Sequence, residues 1–114
     1  MIIVSSEQIY GETIEKSLGI VSGTAIRSRS QAGNFLGRIR AIAGGKMAGY
    51  ERIMREARDQ AVAELIADAK KNGANAVISF RIVNGSMALG ADEDFVEVLA
   101  YGTAVTLQGG AQHP

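Results

Sequence analysis

The chain has 114 residues, with twelve basic and twelve acidic side chains that give a formal net charge of zero. It has no cysteine and one histidine, which excludes disulfides and thiolate metal sites and leaves little for nucleophilic catalysis. Hydrophobic residues make up 46% of the chain but aromatic residues only 5%, so each core side chain buries little area. Burial against further copies of the chain would therefore add much stability.

The length predicts one domain, which we place over residues 1–107. Residues 108–114 are predicted to form a flexible tail, and the single histidine, His113, lies there without a fixed orientation. The N-terminal residues 1–6 carry no basic residue, which favours a strand over a signal peptide. Because no apolar stretch approaches the ~18 residues of a membrane span, we expect a cytoplasmic protein with no membrane partner.

Two strands are predicted first. A short strand covers residues 2–5, and a second strand region begins near Thr13 and continues through residues 18–27. The second has β-branched residues on both faces and is interrupted by Gly19 and Gly23. Since glycine inside a strand marks a bulge or the close approach of another backbone, we expect this strand to be buried on both sides for part of its length.

Two helices follow. A short amphipathic helix is predicted from an N-cap at Ser30 to the break at Gly44 and Gly45. A long one over residues 46–72 is predicted from an apolar stripe at helical spacing: Tyr50, Ile53, Met54, Ala57, Ala61, Leu65 and Ala69. At ~1.5 Å per residue it would reach about 40 Å, more than a small sheet requires. We therefore expect an overhanging end that packs against a neighbouring subunit.

The second half of the chain predicts two more strands. Gly73 is placed to end the long helix, and an alternating strand over residues 76–83 follows, then a loop over residues 84–91. The last strand, residues 94–107, is apolar at both parities, which indicates burial on both sides or a bulge near Gly102. The fold class is α+β: an antiparallel-rich sheet of about four strands packed on one short and one long helix.

Basic residues are concentrated between Glu15 and Glu51, where no acidic residue occurs. Arginine binds phosphate and carboxylate in a bidentate manner, so a small-anion pocket is one hypothesis for this region. Its candidate ligand-binding residues are Arg27, Arg29, Tyr50 and Arg58. The alternative, which we favour, is that these arginines pair with the acidic segment at Asp92-Glu93-Asp94 and Glu97, within one chain or across two subunits. A nucleic-acid partner is not expected, because the basic run lacks interleaved aromatic residues.

Two motif-like patterns are incomplete. Gly44-Gly45-Lys46 lacks the Ser or Thr that a phosphate-binding loop requires, since Met47 follows the lysine. Asp92-Glu93-Asp94 begins like a calcium loop, but Val96 stands at the next ligand position, so a solvated acidic turn is favoured over a metal site. We therefore predict a protein that is not an enzyme, with no catalytic residues, no cofactor and no metal. Metal binding by the acidic segment remains a further hypothesis.

The order of several motifs resembles the YbjQ-like family of small uncharacterised proteins, which carry a heavy-metal-binding label. The resemblance spans residues 2–107 and departs at Ser28, where the family has glycine between two arginines. The matching segments are residues 18–23, Arg27 and Arg29, Gly44-Gly45, Tyr50, Glu56-Ala57-Arg58, Gly73-Ala74-Asn75-Ala76-Val77 and Tyr101-Gly102-Thr103-Ala104-Val105.

The resemblance implies a dodecin-like subunit that assembles with copies of itself, expected as a homopentameric ring, without an established activity. The heavy-metal label does not fit this chain, because soft metals require thiolate or imidazole ligands that it lacks outside its tail. The sequence therefore predicts a non-enzymatic, cytosolic homo-oligomer that could hold a ligand at subunit interfaces or in a central channel.

Overall fold

The structure, a computed structural model, describes residues 1–28, 46–88 and 94–109, with side chains over 1–27, 51–85 and 95–109. Its elements are β1 (Ile2–Ile3), β2 (Ile14–Ser28), α1 (Lys46–Lys71), β3 (Ala76–Ala88) and β4 (Asp94–Leu107). The strands form one sheet in the order β1-β3-β4-β2, and α1 packs on one face over β2 and β4. The α+β fold and the long helix are confirmed. The predicted short helix lies outside the described residues.

The sheet is mixed, with one short parallel pair. β1 lies parallel to β3, with Ile2 opposite Ala76, while β3–β4 and β4–β2 are antiparallel. β1 is shorter than predicted, although the amide of Val4 still donates to the carbonyl of Val77 at 2.9 Å. β3 is longer than predicted: it continues to Ala88 in register with β4, where the sequence pattern indicated a loop.

Gly23 lies where α1 crosses β2 at close range. A Cβ at this position would collide with the carbonyl oxygen of Ala61 and lie 2.5 Å from the backbone nitrogen of Leu65. The face of α1 that meets the sheet is accordingly made mostly of small buried residues: Ile53, Ala57, Ala61, Leu65 and Ala69. The predicted close approach of another backbone at this glycine is confirmed.

Three irregularities interrupt the ladders on the two sides of β4. Two lie in β2, between Ile14 and Lys16 and between Ser17 and Gly19, whose φ is +97°. The third lies in β3 between Ile78 and Arg81, where Ser79 adopts a φ of +53° and its amide donates to the carbonyl of Ser6 at 2.8 Å. The irregularity predicted near Gly102 therefore exists, but the extra residues belong to the strands that flank β4.

The core lies on both faces of the sheet. The larger cluster fills the space beneath α1, and the smaller one lies on the opposite face around Val105 and Leu107. Ile9, in the segment between β1 and β2, and Ile14, the first residue of β2, pack over the smaller cluster. β4 is thus buried on both sides only in its C-terminal half, which confirms the predicted two-sided burial for that half.

The junction between α1 and β3 ties the helix to the sheet. Gly73 has a φ of +85°, and its amide donates to the carbonyl of Lys70 at 3.0 Å, so it ends the helix as predicted. Asn75 then accepts a hydrogen bond from the amide of Leu107 through Oδ1 at 2.8 Å. At the outer edge of β2, the Oδ2 of Asp68 accepts from the amide of Ser22 at 3.1 Å and so occupies one free strand-edge donor.

The subunit is elongated. α1 has 26 residues and spans about 39 Å, whereas β2 has 15 residues and spans about 50 Å. The prediction that the helix extends beyond the sheet is therefore wrong, because the strands are longer than the sequence pattern indicated. The Cα radius of gyration is 17.7 Å, above the about 13 Å of a compact domain of this size, so the fold is elongated.

Candidate functional site

Arg27 is held by side chains of α1. It lies near the end of β2, its Nε donates to Oε1 of Gln60 at 3.1 Å, and its Nη1 lies 3.9 Å from Oε2 of Glu56. Its side chain is 41% exposed, so the ion pair contributes at most about 1 kcal/mol. Arg27 is therefore ion-paired within the chain, but its partner is a helix residue and not the predicted acidic segment before β4.

Arg58 lies on the other side of α1. It follows Glu56 by two positions, which is about 200° around a helix, so the two side chains leave in nearly opposite directions. Its Nη2 lies 3.2 Å from Oδ1 of the adjacent Asp59, and both side chains are exposed. Within one chain the structure does not bring Arg27 and Arg58 together.

The remaining predicted site residues lie outside what the structure describes. Arg29 is in the undescribed segment between β2 and α1, and Tyr50 is in the first turns of α1, where only the backbone is described. Asp92 and Glu93 fall in the undescribed segment before β4, which begins at Asp94. The anion pocket and the acidic metal site both stay predictions.

An open groove of about 410 Å³ lies between α1 and β3. Its lining combines two apolar side chains, one amide and three charged groups: Met54, Ile82, Asn84, Glu51, Arg55 and Arg58. This groove was not predicted, because the sequence pattern places the end of β3 before Asn84. The alternation of Phe80, Ile82 and Asn84 on one face was the available signal.

Among the described residues, few side chains cover the sheet face away from α1 along β2 and the first half of β4. Ile20, Ile26 and Val83 are 80%, 62% and 53% exposed, and Tyr101 is 37% exposed. The strand register sets these side chains in four adjacent rows with Leu99: Ile20–Thr103–Ile78, Ser22–Tyr101–Arg81, Thr24–Leu99–Val83 and Ile26–Glu97–Gly85. We call this surface, defined by Ile20, Ile26, Val83, Leu99 and Tyr101, the open face. Among the described residues, β2 is therefore buried on one side only from Ile20 to Ile26, and the predicted two-sided burial is wrong for this part of the strand.

Two charged residues lie on the open face, and they differ in their interactions. Arg81 is hydrogen-bonded, since its Nη1 donates to the carbonyl oxygens of Ser5 and Phe80 at 2.8 Å each. Glu97 is exposed and makes no ion pair within the described part of the chain. The open face therefore presents apolar side chains together with the guanidinium of Arg81, which is bound to neutral carbonyl groups, and the carboxylate of Glu97, which has no ion pair among the described residues.

Metal coordination has no preformed centre in the residues described. In 1–28, 46–88 and 94–109, no group of three or more His, Cys, Asp or Glu side chains is placed to share an ion. Over the same ranges, α1 is too polar to cross a bilayer, and no other helix is found there that could do so.

Comparison with known proteins places the chain among small proteins without an assigned activity. A sequence model of the YbjQ family, whose description reads "Putative heavy-metal-binding", matches residues 1–108. A UPF0145 protein of Acidiphilium cryptum is 44% identical over 108 residues, which cover 95% of each chain. A UPF0145 protein of Thermotoga maritima is 38% identical over 108 residues, which cover 95% of this chain and 98% of the relative.

Among solved structures, the chain is similar to a crystal structure from Pediococcus pentosaceus, described as a protein with unknown function of the DUF74 family. The TM-score is 0.58 and the match covers 94% of this chain and 97% of the other. Because the identity is 16%, this similarity shows a shared fold and nothing more.

Proposed function

The chain belongs to the YbjQ family, and we propose from the geometry of its sheet that it is a non-catalytic subunit that assembles with copies of itself. The observation that supports this proposal is the solvent exposure of large aliphatic side chains in neighbouring rows of the open face. Exposed apolar side chains grouped on one face and bordered by polar residues are typical of an interaction surface. Full burial of one such side chain contributes roughly 1.5–3 kcal/mol, so covering several supports a stable contact.

The fold supports assembly in a second way. The N-terminal segment covers the sheet face only as far as Ser79, and beyond it the face opposite α1 has no layer among the described residues. A sheet that is apolar on both faces normally lies between two layers. A second copy supplies the missing layer without any other partner, and five copies in a ring is the arrangement that the family resemblance implies. We place the protein in the cytoplasm, where a chain without cysteine needs no disulfide.

Small-anion binding is the second candidate function. Arg55 and Arg58 line the same groove beside Asn84, so two guanidinium groups and an amide are available there. Arg27 is occupied by Glu56 and Gln60, so it would reach a shared ligand only through a neighbouring subunit. The metal function that the family description suggests has less support, because the chain has no thiolate and a single imidazole.

Cysteine labelling tests the proposed assembly, because the natural chain has no cysteine. Thr24→Cys places a thiol at the centre of the open face, and Gln8→Cys places one in the exposed N-terminal segment as the matched control. We expect maleimide to modify the thiol at position 24 at least about tenfold more slowly, because a buried thiol reacts only when the contact opens. In urea both thiols should react at one rate. Equal rates in the native protein would contradict the proposal.

A further inference from the structure

We infer that copies join head to tail: the open face of one subunit packs over the groove between α1 and β3 of the next, and Glu97 of the first meets Arg58 of the second. This inference rests on the proposed self-assembly. It assigns the partner surface, which self-assembly alone leaves undefined.

The two surfaces lie on opposite sides of the same sheet. Successive residues of a strand point to opposite faces, so Val83 belongs to the open face while Ile82 and Asn84 belong to the groove. A two-fold contact between two open faces would leave Met54 and Ile82 of each groove in water. A head-to-tail contact covers both surfaces of every copy with one kind of interface.

The charges favour the head-to-tail arrangement. The open face offers the unpaired carboxylate of Glu97, and its guanidinium at Arg81 already donates to two carbonyl oxygens. Two open faces brought together would therefore offer Glu97 a guanidinium that is already held in place by the carbonyl oxygens of Ser5 and Phe80. The groove has two arginines against one acid, Glu51, and Arg58 has only its exposed neighbour Asp59 as a partner. A carboxylate from another copy complements this surface.

The arrangement also limits the possible symmetry. A contact between unlike surfaces either closes into a ring or continues as a filament, whereas a contact between like surfaces stops at a dimer. Because each copy has one open face and one groove, every copy in a closed ring has both surfaces covered. The inference therefore excludes a simple two-fold dimer and allows the ring that the proposed function names, with a filament as the open alternative.

Charge reversal across the contact tests this inference. Glu97→Arg and Arg58→Glu each place like charges together and should weaken the contact at least about 100-fold, so that each variant sediments at a smaller mass than the natural protein. The double variant restores the pair with reversed signs and should return to the natural mass. Glu64→Arg, on an exposed position of α1 outside the groove, is the matched control and should leave the mass unchanged. All of these side chains are exposed, so circular dichroism should show the subunit fold in every variant.

The outcomes separate this inference from the proposed function. If the natural protein sediments as a single subunit, self-assembly is wrong and the inference falls with it. If it assembles but Arg58→Glu keeps the natural mass, the groove is not part of the contact and only the inference is overturned. If both single variants dissociate and the double variant does not reassemble, Glu97 and Arg58 do not face each other, and the inference is likewise overturned.

Discussion

Gly23→Ala is expected to lower the free energy of unfolding by about 2–4 kcal/mol. The added Cβ would enter the space of the Ala61 carbonyl oxygen and lie 2.5 Å from the Leu65 nitrogen. Both atoms are helix backbone and cannot rotate away like the end of a side chain. α1 must therefore move off β2 as a body, which loosens the packing of Val21 and Ala25 beneath it.

Urea denaturation followed by circular dichroism measures this change. The matched control is Gly85→Ala in β3, where an added Cβ meets no atom within 4 Å, and we expect a shift within about 0.5 kcal/mol. If the Gly23 variant were as stable as the Gly85 variant, α1 would not lie against β2 as described.

Ile26→Glu is expected to dissociate the assembly while leaving the subunit folded. Ile26 is 62% exposed in the single subunit, so the fold loses little when the side chain is replaced. In the assembly, the new carboxylate would be buried beside Glu97, which occupies the same row of the sheet. Burying an unpaired charge beside a like charge costs several kcal/mol, enough to weaken the contact by a factor of about 100 or more.

Sedimentation velocity reports the mass of this variant, and circular dichroism reports its fold. The matched control is Ile26→Val, which keeps an aliphatic β-branched side chain and should still assemble. An Ile26→Glu variant that sediments like the natural protein would show that this end of the open face is not part of the contact.

The periodic elements could be predicted from the sequence because their patterns are local. The long helix follows from the spacing of Ile53, Ala57, Ala61 and Leu65, and its end follows from Gly73. The close approach at Gly23 was also predictable, since a glycine amid β-branched residues has no packing role of its own. The sequence predicts too short a β3, because Asn84-Gly85-Ser86 is typical of a turn. In the structure, the long antiparallel pairing with β4 keeps this segment extended.

The candidate site could be predicted only in part, because it depends on which elements lie side by side. Arg27 was identified, but its partners Glu56 and Gln60 are set by where α1 crosses β2. The open face was hidden for the same reason. Apolar residues at both odd and even positions of β2 indicate burial on both sides of the strand. A sequence does not state whether the second covering layer comes from the same chain or from another copy.

The mass of the natural protein in solution, measured by multi-angle light scattering from micromolar concentration upward, tests the central claim most directly. One chain weighs 12.0 kDa. If the chain assembles with copies of itself, we expect a single species at a whole multiple of that mass. The expected number of chains is five, and the mass should not change on dilution across this range. A species that stays at 12.0 kDa at every concentration would contradict self-assembly.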